Sequence, residues 1–112
     1  MNWPKDADGD VLRRLESDGF NFNAERTIDF NIDFEHWPLS TEAIKAFKYW
    51  YPNCEVVEPD QEDIKNGEIN GYIQFTITNK LTYSLVLETQ QEATKKAKKY
   101  GGWCESWGVV SN

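Results

Sequence analysis

One stretch of this chain alternates strictly between apolar and polar residues, and it reads Thr27-Ile28-Asp29-Phe30-Asn31-Ile32-Asp33-Phe34-Glu35. Because successive side chains of a β-strand point to opposite faces, the pattern predicts a strand with large apolar side chains on one face and an acidic row on the other. A sheet with one packed face and one open face satisfies both rows. The stretch therefore predicts the central strand of an open-faced sheet.

The length and composition indicate the number of domains and the kind of partner. The chain has 112 residues, 39% of them hydrophobic and 14% aromatic, and a formal net charge of -7. A chain of this length buries roughly two-thirds of its unfolded surface, so we expect one domain over residues 1–112. Contact with nucleic acid requires cations that neutralise phosphates. The acidic balance thus argues against direct nucleic-acid binding and favours a protein partner with a basic surface.

The expected location is the cytoplasm. The first residues lack the basic and apolar regions of a secretory signal, and no apolar run approaches the roughly 18 residues of a membrane span. Two cysteines, Cys54 and Cys104, are too few for a disulfide framework and lack CxxC spacing, which is typical of a reducing compartment. We expect no membrane association.

Periodicity and turn residues predict the order of the remaining elements. The order is helix, then βαββαβ, with a polar turn region at 59–67. The predicted elements are a helix ending near Gly19, the strand 27–35, a helix from 41 to about 51, a short strand from 54 to 57, a strand 71–78, a helix 84–100 and a strand 103–110.

A βαββαβ chain with right-handed crossovers folds most economically as a ferredoxin-like α+β two-layer sandwich. Its antiparallel strands take the order 4-1-3-2, both crossover helices cover one face, and the N-terminal helix is an addition. The strands with Cys54 and Cys104 are then opposite edges of the sheet. They lie too far apart for a disulfide, so two free thiols are predicted.

For the last strand, the sequence allows two assignments of its alternating side chains to the two faces of the sheet. If the small residues Cys104 and Ser106, together with Gly108, face the helices, then Trp103, Glu105 and Trp107 point outward. The opposite parity buries Glu105 without a partner, which is costly, so we prefer the outward orientation. Exposed tryptophan beside acidic groups is typical of a protein-binding surface. The predicted partner-binding residues are Asp29, Asn31, Asp33, Glu35, Tyr72, Gln74, Trp103, Glu105 and Trp107.

No catalytic, cofactor or metal site is predicted. His36 is the only histidine, and neither cysteine has a recognisable base beside it in the sequence. The cysteines and His36 supply three donors where a structural metal site needs four, and no HExxH, P-loop or GxGxxG motif occurs. These observations favour a non-catalytic protein.

Three segments resemble the regulator of ribonuclease E activity B family. They are Asp10–Gly19, Ile28–Phe34 and the closing segment Gly101-Gly102-Trp103-Cys104-Glu105-Ser106-Trp107-Gly108. In the closing segment Gly101, Gly102, Trp107 and Gly108 agree with the family pattern. The resemblance implies a ferredoxin-like fold and a cytosolic bacterial protein that binds ribonuclease E and restrains its RNA cleavage without catalysis.

Two alternative functions are considered beside this one. A bacterial immunity-type protein that neutralises a toxin has the same acidic, aromatic character. A small-ligand-binding or catalytic ferredoxin-like domain needs a pocket with convergent polar groups, and the sequence shows no such set. The oligomeric state stays open.

Overall fold

A computed structural model describes residues 3–109 of the chain. Its elements follow the predicted order, with a short additional helix in the region predicted as a polar turn. They are α1 (Ala7–Ser17), β1 (Glu25–Phe34), α2 (Thr41–Trp50), β2 (Glu55–Val57), α3 (Gln61–Lys65), β3 (Tyr72–Lys80), α4 (Tyr83–Ala97), a 3-10 turn (Lys98–Tyr100) and β4 (Gly102–Val109). Val110, which the sequence assigned to the last strand, lies outside the described residues.

The four strands form one sheet in the order β2-β3-β1-β4, with every neighbouring pair antiparallel. This is the predicted order 4-1-3-2 counted from the other edge, so the α+β two-layer prediction is confirmed. β1 is central because it pairs with β3 on one side and β4 on the other. The alternating stretch is therefore the central strand of the sheet, as its apolar and polar rows predicted.

The apolar row of β1 forms the centre of the core. Ile28, Phe30, Ile32 and Phe34 are all buried, and the Phe30 ring stacks on Phe75 of β3 with 5.3 Å between centroids. The same core cluster contains one side chain from α1, one from α2 and three from α4, namely Leu12, Phe47, Val86, Ala93 and Ala97. Both crossover helices and α1 thus cover the same face of the sheet.

The helices begin at side-chain caps that the sequence supplies. The Ser40 hydroxyl accepts a hydrogen bond from the Ala43 amide (3.1 Å), and the Thr82 hydroxyl accepts one from the Leu85 amide (3.0 Å). Each cap satisfies a backbone donor that has no partner within the first turn. Local sequence therefore determines where α2 and α4 leave the strands.

A β-bulge at Glu105 corrects the prediction for the last strand. Asn31 lies opposite Ser106 whereas the next residue, Ile32, lies opposite Cys104, so Glu105 is an extra residue on β4. Because of the extra residue, the side chains after Glu105 point to the face opposite to the one that continuous alternation would give them. Trp103 points outward and Cys104 inward, as predicted. The outward placement of Trp107 was wrong, as was the inward placement of Ser106 and Gly108.

Trp107 instead holds α1 against the sheet. Its ring packs on the core, and its indole N–H donates to Oδ1 of Asp8 (2.9 Å). The second carboxylate oxygen of Asp8 accepts from Nε2 of Gln90 on α4 (2.9 Å). A single half-buried carboxylate therefore joins α1, α4 and β4.

Candidate functional site

Within residues 3–109, the core helices α1, α2 and α4 leave the opposite face of the sheet uncovered, and this face carries polar rows that cross the strands. Its outward residues pair in register, because Tyr72 lies opposite Val57 and Asp33, and Asp33 lies opposite Trp103. We call this surface the open face. The rows are Val57–Tyr72–Asp33–Trp103, then Glu55–Gln74–Asn31–Ser106, then Thr76–Asp29–Gly108.

Hydrogen bonds fix the middle row. Nε2 of Gln74 donates to Oδ1 of Asn31 (3.1 Å), and Nδ2 of Asn31 donates to Oγ of Ser106 (3.4 Å). In the third row, a methyl group built on Gly108 would lie 3.1 Å from Oδ1 of Asp29, so the glycine leaves room for that carboxylate. Hydrogen bonds therefore join Gln74, Asn31 and Ser106 across three strands of the open face.

Asp33 lies in the row that contains both aromatic side chains of the open face. It is half-buried between its cross-strand neighbours Tyr72 and Trp103. Burial raises the pKa of its carboxyl group above the ordinary value, and the negative charge of exposed Glu105 raises this pKa further. A carboxylate in this setting gains from a cationic partner, because such a partner would replace lost hydration and oppose the repulsion.

The raised pKa of Asp33 predicts a pH dependence of stability. The folded state holds this proton more tightly than the unfolded chain, so ionisation lowers the free energy of unfolding as the pH rises above 3.8. Asp33→Asn is therefore expected to raise the melting temperature at about pH 7 but not at about pH 3. Thermal unfolding at both values measures the difference, and an equal gain at both would contradict this cause.

The structure brings most of the predicted site residues together. Asp29, Asn31, Asp33, Tyr72, Gln74 and Trp103 share the open face. Glu35 is exposed just after β1, where its amide donates to the Gly101 carbonyl (3.1 Å), and Glu105 is exposed at the bulge. Trp107 does not belong to the open face, because it contacts Asp8 on the helix side.

A groove at one end of the open face was not predicted from the sequence. It has a volume of about 720 Å³ and lies between the start of β3, the end of β2 and the segment around α3. We call it the acidic groove. Its charged lining residues are all carboxylates, namely Asp33, Glu58, Asp60, Asp63 and Glu68, and within the described chain no basic residue lines it.

The thiols offer no reactive group to this surface. Cys54 and Cys104 are free and buried. Burial and the charge of Asp33 raise the pKa of the Cys104 thiol to about 12, and burial also raises the pKa of Cys54. Both are therefore protonated and poor nucleophiles near neutral pH.

The carboxylates of the surface are dispersed. Over residues 3–109, no three His, Cys, Asp or Glu side chains are grouped closely enough to hold a metal ion. No helix in the same part of the chain is long and apolar enough to cross a bilayer.

The fold and the open face define a two-layer α+β protein with an uncovered polar and aromatic sheet face. A family model described as "Regulator of ribonuclease activity B" matches residues 5–109, and the chain belongs to this family. The resemblance identified from the sequence is thereby confirmed. The chain is also 27% identical over 100 residues to "Regulator of ribonuclease activity B" of Proteus mirabilis (strain HI4320). That similarity covers 88% of this chain and 68% of the relative.

Proposed function

We propose that this protein binds ribonuclease E through its open face and restrains the cleavage of RNA without catalysing a reaction itself. Membership of a family of ribonuclease regulators supports a regulatory role and a ribonuclease partner. The observation that carries the choice of surface is the uncovered row of Tyr72, Asp33 and Trp103, with Asp29 nearby. We place this activity in the cytoplasm.

Charge gives the open face its preference for a basic partner. Asp29 and Asp33 on β1, Glu55 on β2 and Glu105 on β4 carry negative charge on or beside this face, and the whole chain has a net charge of -7. Complementary charge accelerates association and excludes like-charged surfaces. Trp103 and Tyr72 supply the flat aromatic area that contributes most at protein interfaces.

Salt is expected to weaken the inhibition. A fluorescent RNA substrate would be incubated with purified ribonuclease E, with and without this protein, at about 50 mM and about 300 mM salt, because the higher salt shortens the screening length. We expect slower cleavage in the presence of the protein, with a larger effect at low salt. Unchanged cleavage at both salt concentrations would contradict the proposal, as would RNA cleavage by this protein alone.

A further inference from the structure

We propose that the acidic groove receives an extended, arginine-bearing segment of the partner protein. This inference rests on the proposed function and specifies which kind of partner segment binds beside the open face. The groove shares Asp33 and Tyr72 with the open face, so a segment lying across the first row continues into it. Its volume of about 720 Å³ falls in the range that holds several side chains rather than a single ion.

The lining combines an apolar surface with carboxylates. Ile69 is 66% exposed, and Val57 and Tyr72 extend the apolar part of the wall. Glu58 and Glu68 lie on the same groove and are exposed. An arginine side chain matches both features, since its alkyl stem packs on apolar surface while its guanidinium donates paired hydrogen bonds to carboxylates.

Several contacts hold the walls of the acidic groove in place. Asp60 and Asp63 form a reciprocal capping box at the start of α3, with bonds of 2.7 and 3.1 Å to each other's amides. Oε2 of Glu58 accepts from Nε1 of Trp37 (2.7 Å), and Nδ2 of Asn70 donates to the Phe34 carbonyl (3.0 Å). A groove that is already ordered loses little conformational entropy on binding, which favours affinity.

The close approach of three segments also shapes the groove. A methyl group built on Gly71 would lie 2.1 Å from the Val57 carbonyl oxygen and 2.6 Å from the Trp37 ring. Only a glycine at this position lets β3 begin against β2 and the Trp37 ring. The apolar wall and the carboxylates are thus presented together by tightly packed backbone.

The chain offers a matched pair of variants for the test. Glu68→Gln with Ile69→Ala removes one charge and one exposed isoleucine side chain from the groove lining. Glu62→Gln with Ile64→Ala removes the same groups from α3 at positions that do not line the groove, and Ile64 is 53% exposed. All four residues are exposed, so both variants are expected to fold.

The probe is a fluorescein-labelled nine-residue peptide of alternating arginine and alanine, followed by anisotropy. The groove variant is expected to bind it about tenfold more weakly than the wild type, and the control variant within about twofold, because only the groove variant loses direct contacts. Equal affinity of the two variants would overturn the proposal. A lysine version of the peptide is expected to bind more weakly than the arginine peptide, since lysine cannot form paired bonds. Equal affinity for both peptides would overturn the choice of arginine.

The cleavage assay with ribonuclease E distinguishes a failure of the groove proposal from a failure of the proposed function. Both variants and an open-face variant carrying Asp29→Lys and Gln74→Lys, at two positions that do not line the groove, would be compared in the cleavage assay. If only the open-face variant loses inhibition, the groove proposal fails and the proposed function stands. If all variants inhibit as the wild type does, both fail. We expect loss of inhibition in the open-face and groove variants, and retention in the control.

Discussion

Simultaneous replacement of Asp29, Asp33 and Glu105 by lysine is expected to weaken binding to ribonuclease E by about 100-fold, because complementary charge on the open face becomes repulsion. The melting temperature is expected to change little. Asp29 and Asp33 are half-buried on an uncovered surface, Glu105 is exposed, and none of the three packs in the core. Surface plasmon resonance with immobilised ribonuclease E measures the affinity.

A second triple variant provides the control for net charge. Glu42→Lys, Glu88→Lys and Glu92→Lys change the net charge by the same amount, but these residues belong to α2 and α4 on the opposite side of the molecule. This variant is expected to retain most of the affinity. Equal loss in the two variants would show that overall charge, not the open face, determines binding. Full affinity of the open-face variant would reject the open face as the site.

Trp107→Ala is expected to lower the free energy of unfolding by about 3 kcal/mol, because it removes a large side chain that packs on the core. It also leaves Asp8 with one of its two hydrogen-bond donors. Urea unfolding measures the loss. The variant is expected to bind ribonuclease E normally under conditions in which it stays folded, because Trp107 points away from the open face.

Trp103 on the same strand is the matched comparison. Trp103→Ala is expected to lower stability by about 1 kcal/mol or less, because its side chain lies on the open face, outside the core. The same change is expected to weaken ribonuclease E binding at least about tenfold, as for a central aromatic residue of an interface. Similar effects of the two substitutions would mean that the strand has no bulge at Glu105, because continuous alternation puts both tryptophans on one face.

β1 could be predicted from the sequence because one pattern determines several levels of structure. The alternation from Ile28 to Phe34 specifies a strand, its buried face and its outward carboxylates together. The order of elements and the right-handed crossover rule then place this strand in the middle of the sheet. Most of the open face follows, including Asp29, Asp33, Tyr72 and Gln74.

The side-chain orientation along β4 could not be predicted, because odd-numbered residues point outward before the bulge at Glu105 and inward after it. Continuous alternation offers only two choices, and each puts at least one of Trp103, Glu105 and Trp107 where it does not belong. The bulge resolves this conflict by leaving Glu105 exposed while Trp107 reaches Asp8, about 100 residues earlier in the chain. That contact is tertiary, so no local pattern contains it.

The acidic groove has a local signal that periodicity alone does not detect. Asp60 and Asp63 have the spacing of a capping box, which indicates a helix start within the segment predicted as a polar turn. The resulting α3 spans only Gln61–Lys65, too short to show an apolar period. The predicted strand order places β2 beside β3, but the path that brings the connecting segment with α3 next to Asp33 is a tertiary feature that no local pattern contains.

Protection of introduced cysteines tests most directly whether ribonuclease E covers the open face. The native thiols are buried and the pKa of Cys104 is raised to about 12, so they react slowly with a maleimide. Gln74→Cys places a thiol at the centre of the open face, and Glu88→Cys places one on the exposed surface of α4. With saturating ribonuclease E, we expect at least about tenfold slower alkylation at position 74 and an unchanged rate at position 88. Protection at position 88 with free reaction at position 74 would contradict binding through the open face.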